Sequence, residues 1–178
     1  SVDAPDPSNF QTNGTGNYYL AANSTLRQAG TANISPYLLD EFHSKTTYAP
    51  IALPEFMSLS GNLTLSPQVP RYTNGAPDIG YYYDAMDYTV AGMTNFGTIT
   101  VLPGTVIGFR QDLNTSTFWG FDLREESSFV SHGTPAKPVV FTDVQWVQEQ
   151  YAAPCYSLFV PDFEGGTNDA APGMDVRF

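Results

Sequence analysis

Short apolar runs, cut at close intervals by turn residues, are the feature that most constrains how this chain can fold. They are clearest between residues 95 and 142, in the segments 97–109 (GTITVLPGTVIGF), 118–123 (FWGFDL) and 128–142 (SFVSHGTPAKPVVFT). β-branched and aromatic residues favour strands, whereas Pro-Gly, Gly-Thr and Lys-Pro pairs favour turns. Strand and turn recur at about 17 to 24 residues, an interval typical of repeat architectures. The pattern predicts an all-β fold, with the coils of a parallel β-helix (a solenoid) over residues 93–178.

The first half of the chain carries a different pattern. Residues 1–92 contain short strand candidates, at 18–21, 50–57 and 61–65, between loops rich in Pro, Asn and Gly. One short helix is predicted at about residues 35–45, because Ser35 can act as the N-cap and Pro36 suits the first helical position. Leu38, Leu39 and Phe42 then form one apolar stripe. We expect this half to be a separate N-terminal segment that caps or closes the coils.

Charge narrows the range of partners. The chain has 7 Lys and Arg against 18 Asp and Glu, a formal net charge of −11, and charged residues make up only 14% of it. That surface repels phosphate backbones, so nucleic acid is a poor partner, whereas neutral polysaccharides and cations remain possible partners.

No apolar run reaches the roughly 18 residues of a membrane span. One cysteine, Cys155, excludes an intrachain disulfide but not secretion. Because the chain opens without Met and ends inside a strand pattern, we expect it to be a fragment of a longer protein.

Two segments carry a family resemblance. Residues 17–31 (NYYLAANSTLRQAGT) and 77–83 (PDIGYYY) resemble a signature of large secreted bacterial proteins with a right-handed parallel β-helix of the pectin-lyase-like type. Residues 99–109 and 133–142 look like the coils that open a new section in such proteins. The resemblance implies that the β-helix is right-handed and that the protein is extracellular or lies at the cell surface. The family signature usually includes a cysteine near residues 24–30, where this chain has none, and no catalytic residue of the family can be carried over.

Paired carboxylates are the candidate catalytic groups. Glycoside hydrolysis needs two carboxyl groups roughly 5 to 9.5 Å apart on either side of one sugar bond. The candidates are Asp84 with Asp87, and the cluster of Asp122, Glu125 and Glu126. The alternative is that these acids are solvated residues of turns and outer faces.

Exposed aromatic residues are the candidate sugar-binding groups. Tyr81, Tyr83, Trp119 and Trp146 are the candidates, because sugars stack on aromatic rings that have polar neighbours. In a strand, Tyr81 and Tyr83 would share one face and Tyr82 would take the other. Packing of these rings inside the β core is the alternative interpretation.

One acidic loop is a candidate calcium site. Asp162, Glu164, Asn168 and Asp169 surround two glycines and offer the oxygen ligands that calcium prefers. The loop has neither EF-hand nor nonapeptide-repeat spacing, and an ordinary exposed loop is the alternative. No other cofactor is predicted.

Three functions remain open from the sequence. The first is an extracellular module that binds or helps process polysaccharide or a cell-surface glycan. The second is a glycoside hydrolase that uses the paired carboxylates. The third is a structural or adhesive segment of a large surface protein.

Overall fold

The computed structural model describes residues 6–110, 119–149, 157–161 and 173–177. Within these ranges the dominant feature is three parallel sheets of four strands each. The chain visits the sheets in turn, so that every third strand of the main run returns to the same sheet. Each sheet therefore gathers residues that are far apart in sequence.

The first sheet contains β4 (Ile51–Ala52), β8 (Tyr88–Val90), β11 (Val106–Phe109) and β14 (Val140–Asp143). The second contains β5 (Ser58–Leu59), β9 (Met93–Asn95), β12 (Trp119–Leu123) and β15 (Ser157–Pro161). The third contains β6 (Leu63–Leu65), β10 (Thr98–Val101), β13 (Ser128–His132) and β16 (Gly173–Arg177).

Six further elements lie outside these three sheets. β1 (Phe10–Asn13) and β2 (Gly16–Leu20) form an antiparallel hairpin, and β3 (Lys45–Thr46) pairs antiparallel with β7 (Tyr83–Asp84). Helix α1 spans Pro36–Phe42, inside the range predicted for a helix, and a 3-10 helix spans Val144–Trp146. Asp143 caps the 3-10 helix by accepting a hydrogen bond from the Gln145 backbone N–H.

The core lies between the three sheets. In β10, Ile99 and Val101 are buried while the threonines beside them are partly exposed, as expected for alternating side chains. Phe109, Phe121 and Phe129, one from each sheet, are fully buried. The Phe121 ring centroid lies 5.5 Å from that of Phe109 and 5.3 Å from that of Phe129. Aromatic contacts across all three sheets thus add to the burial of apolar surface.

The predicted fold class, an all-β right-handed parallel β-helix, is corrected by this arrangement. The described residues are a mixture of parallel sheets, two antiparallel pairs, an α-helix and a 3-10 helix, and no solenoid is identified among them. Strand and turn patterns are local, so they locate short strands without revealing which strands pair. Parallel pairing begins at Ile51, because β4, β5 and β6 each pair with a later strand. The boundary between residues 92 and 93 stays a prediction.

None of the helices in the described ranges has the length and apolar character needed to cross a membrane.

Candidate functional site

A cleft of about 210 Å³ lies outside the three parallel sheets, between residues 46–48 and the loop that joins β6 to β7. Its walls combine tyrosine rings, amides and hydroxyls. The lining residues are Gln28, Thr46, Thr47, Tyr48, Pro70, Arg71, Tyr72, Thr73, Asn74, Ala76, Asp78 and Tyr82. We call this the tyrosine cleft.

Helix α1 supports two of the three tyrosines. Phe42 stacks on Tyr82 with ring centroids 4.0 Å apart and planes 6° apart, and it meets Tyr72 edge-on at 6.0 Å. The Tyr82 hydroxyl donates a hydrogen bond to the Asp78 carbonyl oxygen at 3.2 Å. Burial raises the pKa of Tyr82 to about 12, so this hydroxyl stays protonated at neutral pH. Both rings are therefore held in place, although α1 itself buries no residue.

Tyr48 and Asp78 are held by Arg27. The Arg27 guanidinium carbon lies 3.7 Å from the Tyr48 ring centroid, a cation–π contact, and one of its nitrogens lies 3.2 Å from Asp78 Oδ2. Asp78 also accepts hydrogen bonds from the Thr47 hydroxyl and, at 2.7 Å, from the Gln28 backbone N–H. The Asp78 side chain is only 12% exposed. This carboxylate is thus fixed in orientation at the edge of the cleft.

Arg71 is held by Asp87. The two side chains form a bidentate ion pair with N–O distances of 2.7 and 2.9 Å. Asp87 is fully buried and also accepts backbone N–H hydrogen bonds from Gln68, Val69 and Val106, at 2.8, 2.9 and 2.9 Å. Burial alone would raise the pKa of Asp87, but Arg71 and these three N–H groups outweigh burial and lower the pKa below its ordinary value.

Both charged residues that line the cleft are therefore engaged in ion pairs, Arg71 with Asp87 and Asp78 with Arg27. Their charges are largely balanced by their own partners. A highly charged ligand would gain little here, whereas an uncharged ligand with hydroxyl groups could use the tyrosine faces, Gln28, Asn74 and the threonines.

Asp84 and Asp87 lie in different environments. Asp84 is exposed on β7, where its Oδ1 lies 2.7 Å from Lys45 Nζ, whereas Asp87 is buried and bound by four groups. A glycosidase pair would have to face the same sugar. Asp87 is thus buried while Asp84 is exposed, and a catalytic role for this pair stays a prediction.

Asp122, Glu125 and Glu126 also differ in exposure. Asp122 is buried on β12, with Oδ2 lying 2.8 Å from Arg124 Nη2. Glu125 and Glu126 are exposed at the turn that follows, and Glu126 has a positive φ of 60°. Phe121 belongs to the core, so it provides no sugar platform beside Asp122. A catalytic role for Asp84, Asp122, Glu125 or Glu126 stays a prediction.

The predicted aromatic residues divide by exposure. Tyr81 is 53% exposed and Trp146 is 77% exposed, whereas Tyr83 is 1% exposed and stacks on Tyr19 at 4.1 Å. Burial raises the pKa of Tyr83, whose hydroxyl donates to Glu149. Trp119 begins β12, and its side chain lies outside the described part of the structure. Tyr81 and Trp146 are thus available at the surface and Tyr83 is not.

The predicted calcium ligands, Asp162, Glu164, Asn168 and Asp169, all lie outside the described residues. Among the residues that are described, no group of three or more His, Cys, Asp or Glu is placed to hold a metal ion.

The tyrosine cleft is not predicted by the sequence. The strand pattern places Tyr82 on the face opposite Tyr81 and Tyr83 without indicating a site, and Tyr48 and Tyr72 stand alone in Pro- and Thr-rich segments. One local signal is present: Tyr72, Asn74 and Tyr82 lie within a single short segment, 72–82. Their convergence depends on contacts such as Arg27 with Asp78, 51 residues apart.

Comparisons with protein-family models, with curated proteins and with solved structures found no match for this chain.

Proposed function

We propose that this chain binds neutral polysaccharide, outside the cell or at a cell surface, and that the tyrosine cleft is its sugar-binding site. The observation that carries the proposal is the composition of the cleft: three tyrosine rings beside amides and hydroxyls. Its two charged lining residues are already in ion pairs. Aromatic faces suit the C–H faces of sugar rings, and fixed polar groups suit sugar hydroxyls.

The cleft is small, so we expect it to bind only a short part of a glycan chain. Pockets that enclose drug-sized ligands usually measure roughly 300 to 1,000 Å³. A volume of about 210 Å³ suits one or two sugar rings. The net charge of −11 would oppose polyanionic glycans, so neutral ones are favoured.

The cleft favours binding over hydrolysis. Asp78 is the single carboxylate among its lining residues, and both of its oxygens already accept hydrogen bonds. Two carboxyl groups are needed in most glycosidases. Hydrolysis by Asp84, Asp122, Glu125 or Glu126 would have to take place elsewhere on the molecule, and it is kept as an outcome of the test.

The test is a screen of the purified protein against neutral polysaccharides by affinity electrophoresis, with release of reducing ends measured in parallel. We expect retardation by at least one polysaccharide without release of reducing ends. Release that is abolished by replacing one of the four acids would establish a glycoside hydrolase instead. If the protein is not retarded by any polysaccharide and releases no reducing ends, the proposal is contradicted and a structural segment is favoured.

Replacing Tyr72 locates the site. We expect Tyr72→Ala to weaken binding about tenfold, equivalent to about 1.4 kcal/mol, because it removes one aromatic wall of the cleft. Isothermal titration calorimetry with the best-binding polysaccharide measures the change. Tyr37→Ala is the matched control, since Tyr37 is 74% exposed on α1 and does not line the cleft. Equal affinities of the two variants would show that the glycan binds elsewhere.

A further inference from the structure

The tripeptide Thr-Asn-Gly occurs twice in the chain, at residues 12–14 and 73–75. An asparagine followed by glycine can lose its side-chain amide, because the backbone nitrogen of the glycine is able to attack the asparagine Cγ atom. Glycine permits this approach since it has no Cβ atom. Both glycines have a positive φ, 61° for Gly14 and 87° for Gly75. Asn13 and Asn74 thus have the same immediate neighbours, and the fold decides how each one reacts.

The loop between β6 and β7 leaves Asn74 unrestrained. Asn74 and Gly75 are both exposed and lie outside any helix or strand. Within the described part of the chain, neither the Asn74 side chain nor the Gly75 N–H makes a hydrogen bond, while the Tyr72 hydroxyl donates to the Gly75 carbonyl oxygen at 3.0 Å. A Cβ atom added to Gly75 would meet nothing within 4 Å. Rotation of the Asn74 side chain toward the Gly75 nitrogen therefore meets no obstacle.

The hairpin holds Asn13 firmly. Its Nδ2 atom donates to the Pro50 carbonyl oxygen at 2.8 Å, and its Oδ1 atom is buried. Its backbone carbonyl oxygen accepts a hydrogen bond from Gln148 Nε2 at 3.0 Å. A Cβ atom added to Gly14 would lie 2.9 Å from Gln148 Oε1, so the glycine is packed as well. Attack on Asn13 requires these contacts to open first.

We propose that Asn74 is a site of spontaneous deamidation and that the contacts of the hairpin protect Asn13 from the same reaction. The Gly75 backbone nitrogen bonds to Asn74 Cγ, the Cγ–Nδ2 bond breaks, and the amide leaves as ammonia with the proton of the Gly75 N–H. Water then opens the succinimide ring. Cleavage of the bond from Cγ to nitrogen leaves aspartate, whereas cleavage of the bond from the backbone carbonyl carbon to nitrogen leaves isoaspartate. No atom is oxidised or reduced, and the reaction needs no glycan, so it is independent of the proposed function.

Deamidation places a new charge in the tyrosine cleft, because Asn74 lines it. Both charged lining residues are already in ion pairs, Arg71 with Asp87 and Asp78 with Arg27. A carboxylate at position 74 therefore has no free cationic partner among the lining residues. In the isoaspartate form the main chain also runs through the former side chain, which lengthens this wall of the cleft.

The experiment incubates the purified protein in heavy-oxygen water, in mildly alkaline buffer at physiological temperature, and maps its peptides by mass spectrometry. Heavy oxygen enters a residue only where solvent has opened the ring during the incubation. We expect residue 74 to take up label at least about tenfold faster than residue 13, the factor that an opening cost of about 1.4 kcal/mol produces. In urea the two residues should react at similar rates, because neither Thr-Asn-Gly segment is then restrained.

Two variants separate the effect of sequence from that of structure. Gln148→Ala removes the hydrogen bonds that hold Asn13 and Thr15, so labelling of Asn13 should accelerate while that of Asn74 stays unchanged. Asn74→Gln should abolish labelling at position 74, since the longer side chain closes a larger ring less readily. An unchanged rate at Asn13 in Gln148→Ala would overturn its protection by Gln148.

The wild-type protein alone decides the main point, whether or not a variant folds. Equal labelling of the two residues in the folded protein would overturn the proposal. So would an unlabelled residue 74 after a period in which the chain reacts in urea. Neither result bears on glycan binding, so failure here is distinct from failure of the proposed function.

Discussion

Asp87 combines full burial with charge, and its partners explain how it remains ionised. Its carboxylate binds Gln68, Val69 and Arg71 in the loop between β6 and β7. It also accepts a hydrogen bond from Val106 at the start of β11. One side chain thus attaches a wall of the cleft to the first parallel sheet. A buried ion pair tolerates the loss of one partner poorly, because the remaining charge is left uncompensated.

We expect Asp87→Ala to lower the free energy of unfolding by about 3 to 5 kcal/mol, the range for breaking a buried pair. Asp84→Ala is the matched control. It removes an ion pair in which the Asp84 side chain is 62% exposed, and such pairs contribute about 0 to 1 kcal/mol. Urea unfolding followed by circular dichroism measures both changes. A cost for Asp87→Ala no larger than that of the control would contradict a structural role.

The contribution of Asp87 to the free energy of unfolding should decrease as the solution becomes acidic. Because the pKa of Asp87 is lower in the folded chain than the value of about 3.9 in the unfolded chain, ionisation stabilises the fold above that value. The contribution is lost as pH falls through the folded-state pKa. The stability difference between wild type and Asp87→Ala should therefore be full at neutral pH and shrink in acid. A difference that grew below about pH 4 would contradict this assignment.

At the scale of elements, close stacking of turns aligns the second and third sheets. Gly97, between β9 and β10, lies directly over Gly61, between β5 and β6. A Cβ atom added to Gly97 would lie 2.0 Å from the Gly61 carbonyl oxygen and 2.7 Å from its carbonyl carbon. Backbone atoms cannot move aside as a flexible side chain can. Asn95, which is fully buried, also braces this turn: its side chain accepts the Gly97 N–H and donates to the Gly97 carbonyl oxygen, both at 3.0 Å.

We expect Gly97→Ala to destabilise the chain by about 1 to 3 kcal/mol, because the two turns must separate to admit the methyl group. Gly61→Ala is the control in the facing turn, where an added Cβ atom meets nothing within 4 Å. Its effect should stay within about 0.5 kcal/mol. Thermal unfolding of the two variants measures the difference. Similar melting temperatures would show that the turns are not in close contact.

At the scale of the whole molecule, Gln148 joins the N-terminal hairpin to the segment that follows the 3-10 helix. This side chain is buried and hydrogen-bonds to Asn13, Thr15 and Tyr19, across 129 to 135 residues of sequence. Burial raises the pKa of Tyr19 to about 12, so its hydroxyl stays protonated beside Gln148 at neutral pH. The position of the hairpin thus depends on a residue more than 120 positions away in the sequence.

We expect Gln148→Ala to destabilise the hairpin by about 2 to 4 kcal/mol, since buried partners lose their hydrogen bonds. Hydrogen exchange followed by mass spectrometry should show faster exchange over residues 10–20, with the strands of the three sheets little changed. Gln145→Ala, on the 3-10 helix itself, provides the control. Unchanged exchange over residues 10–20 would mean that the hairpin is held by other contacts.

Local pattern was sufficient to locate most of the strands. The short apolar, β-branched runs in 97–109 and 128–142, cut by turn residues, predicted β10, β11, β13 and β14, and the Ser35-Pro36 start predicted α1. It did not reveal the 3-10 helix at Val144–Trp146, which the capping side chain of Asp143 favours. It carried no information on sheet order, because pairing links strands that are several turns apart.

The sequence by itself determined the short strands, the turns between them, the helix near α1 and the acidic, weakly charged character of the chain, since each follows from neighbouring residues or from composition. Tertiary structure alone decided that Tyr48, Tyr72 and Tyr82 meet in a cleft and that Tyr81 is exposed while Tyr83 is buried. It alone decided that Asp87, a candidate catalytic acid, is a buried partner of Arg71. These outcomes depend on contacts between residues distant in sequence, and burial and hydrogen bonding exist only once the chain has brought them together.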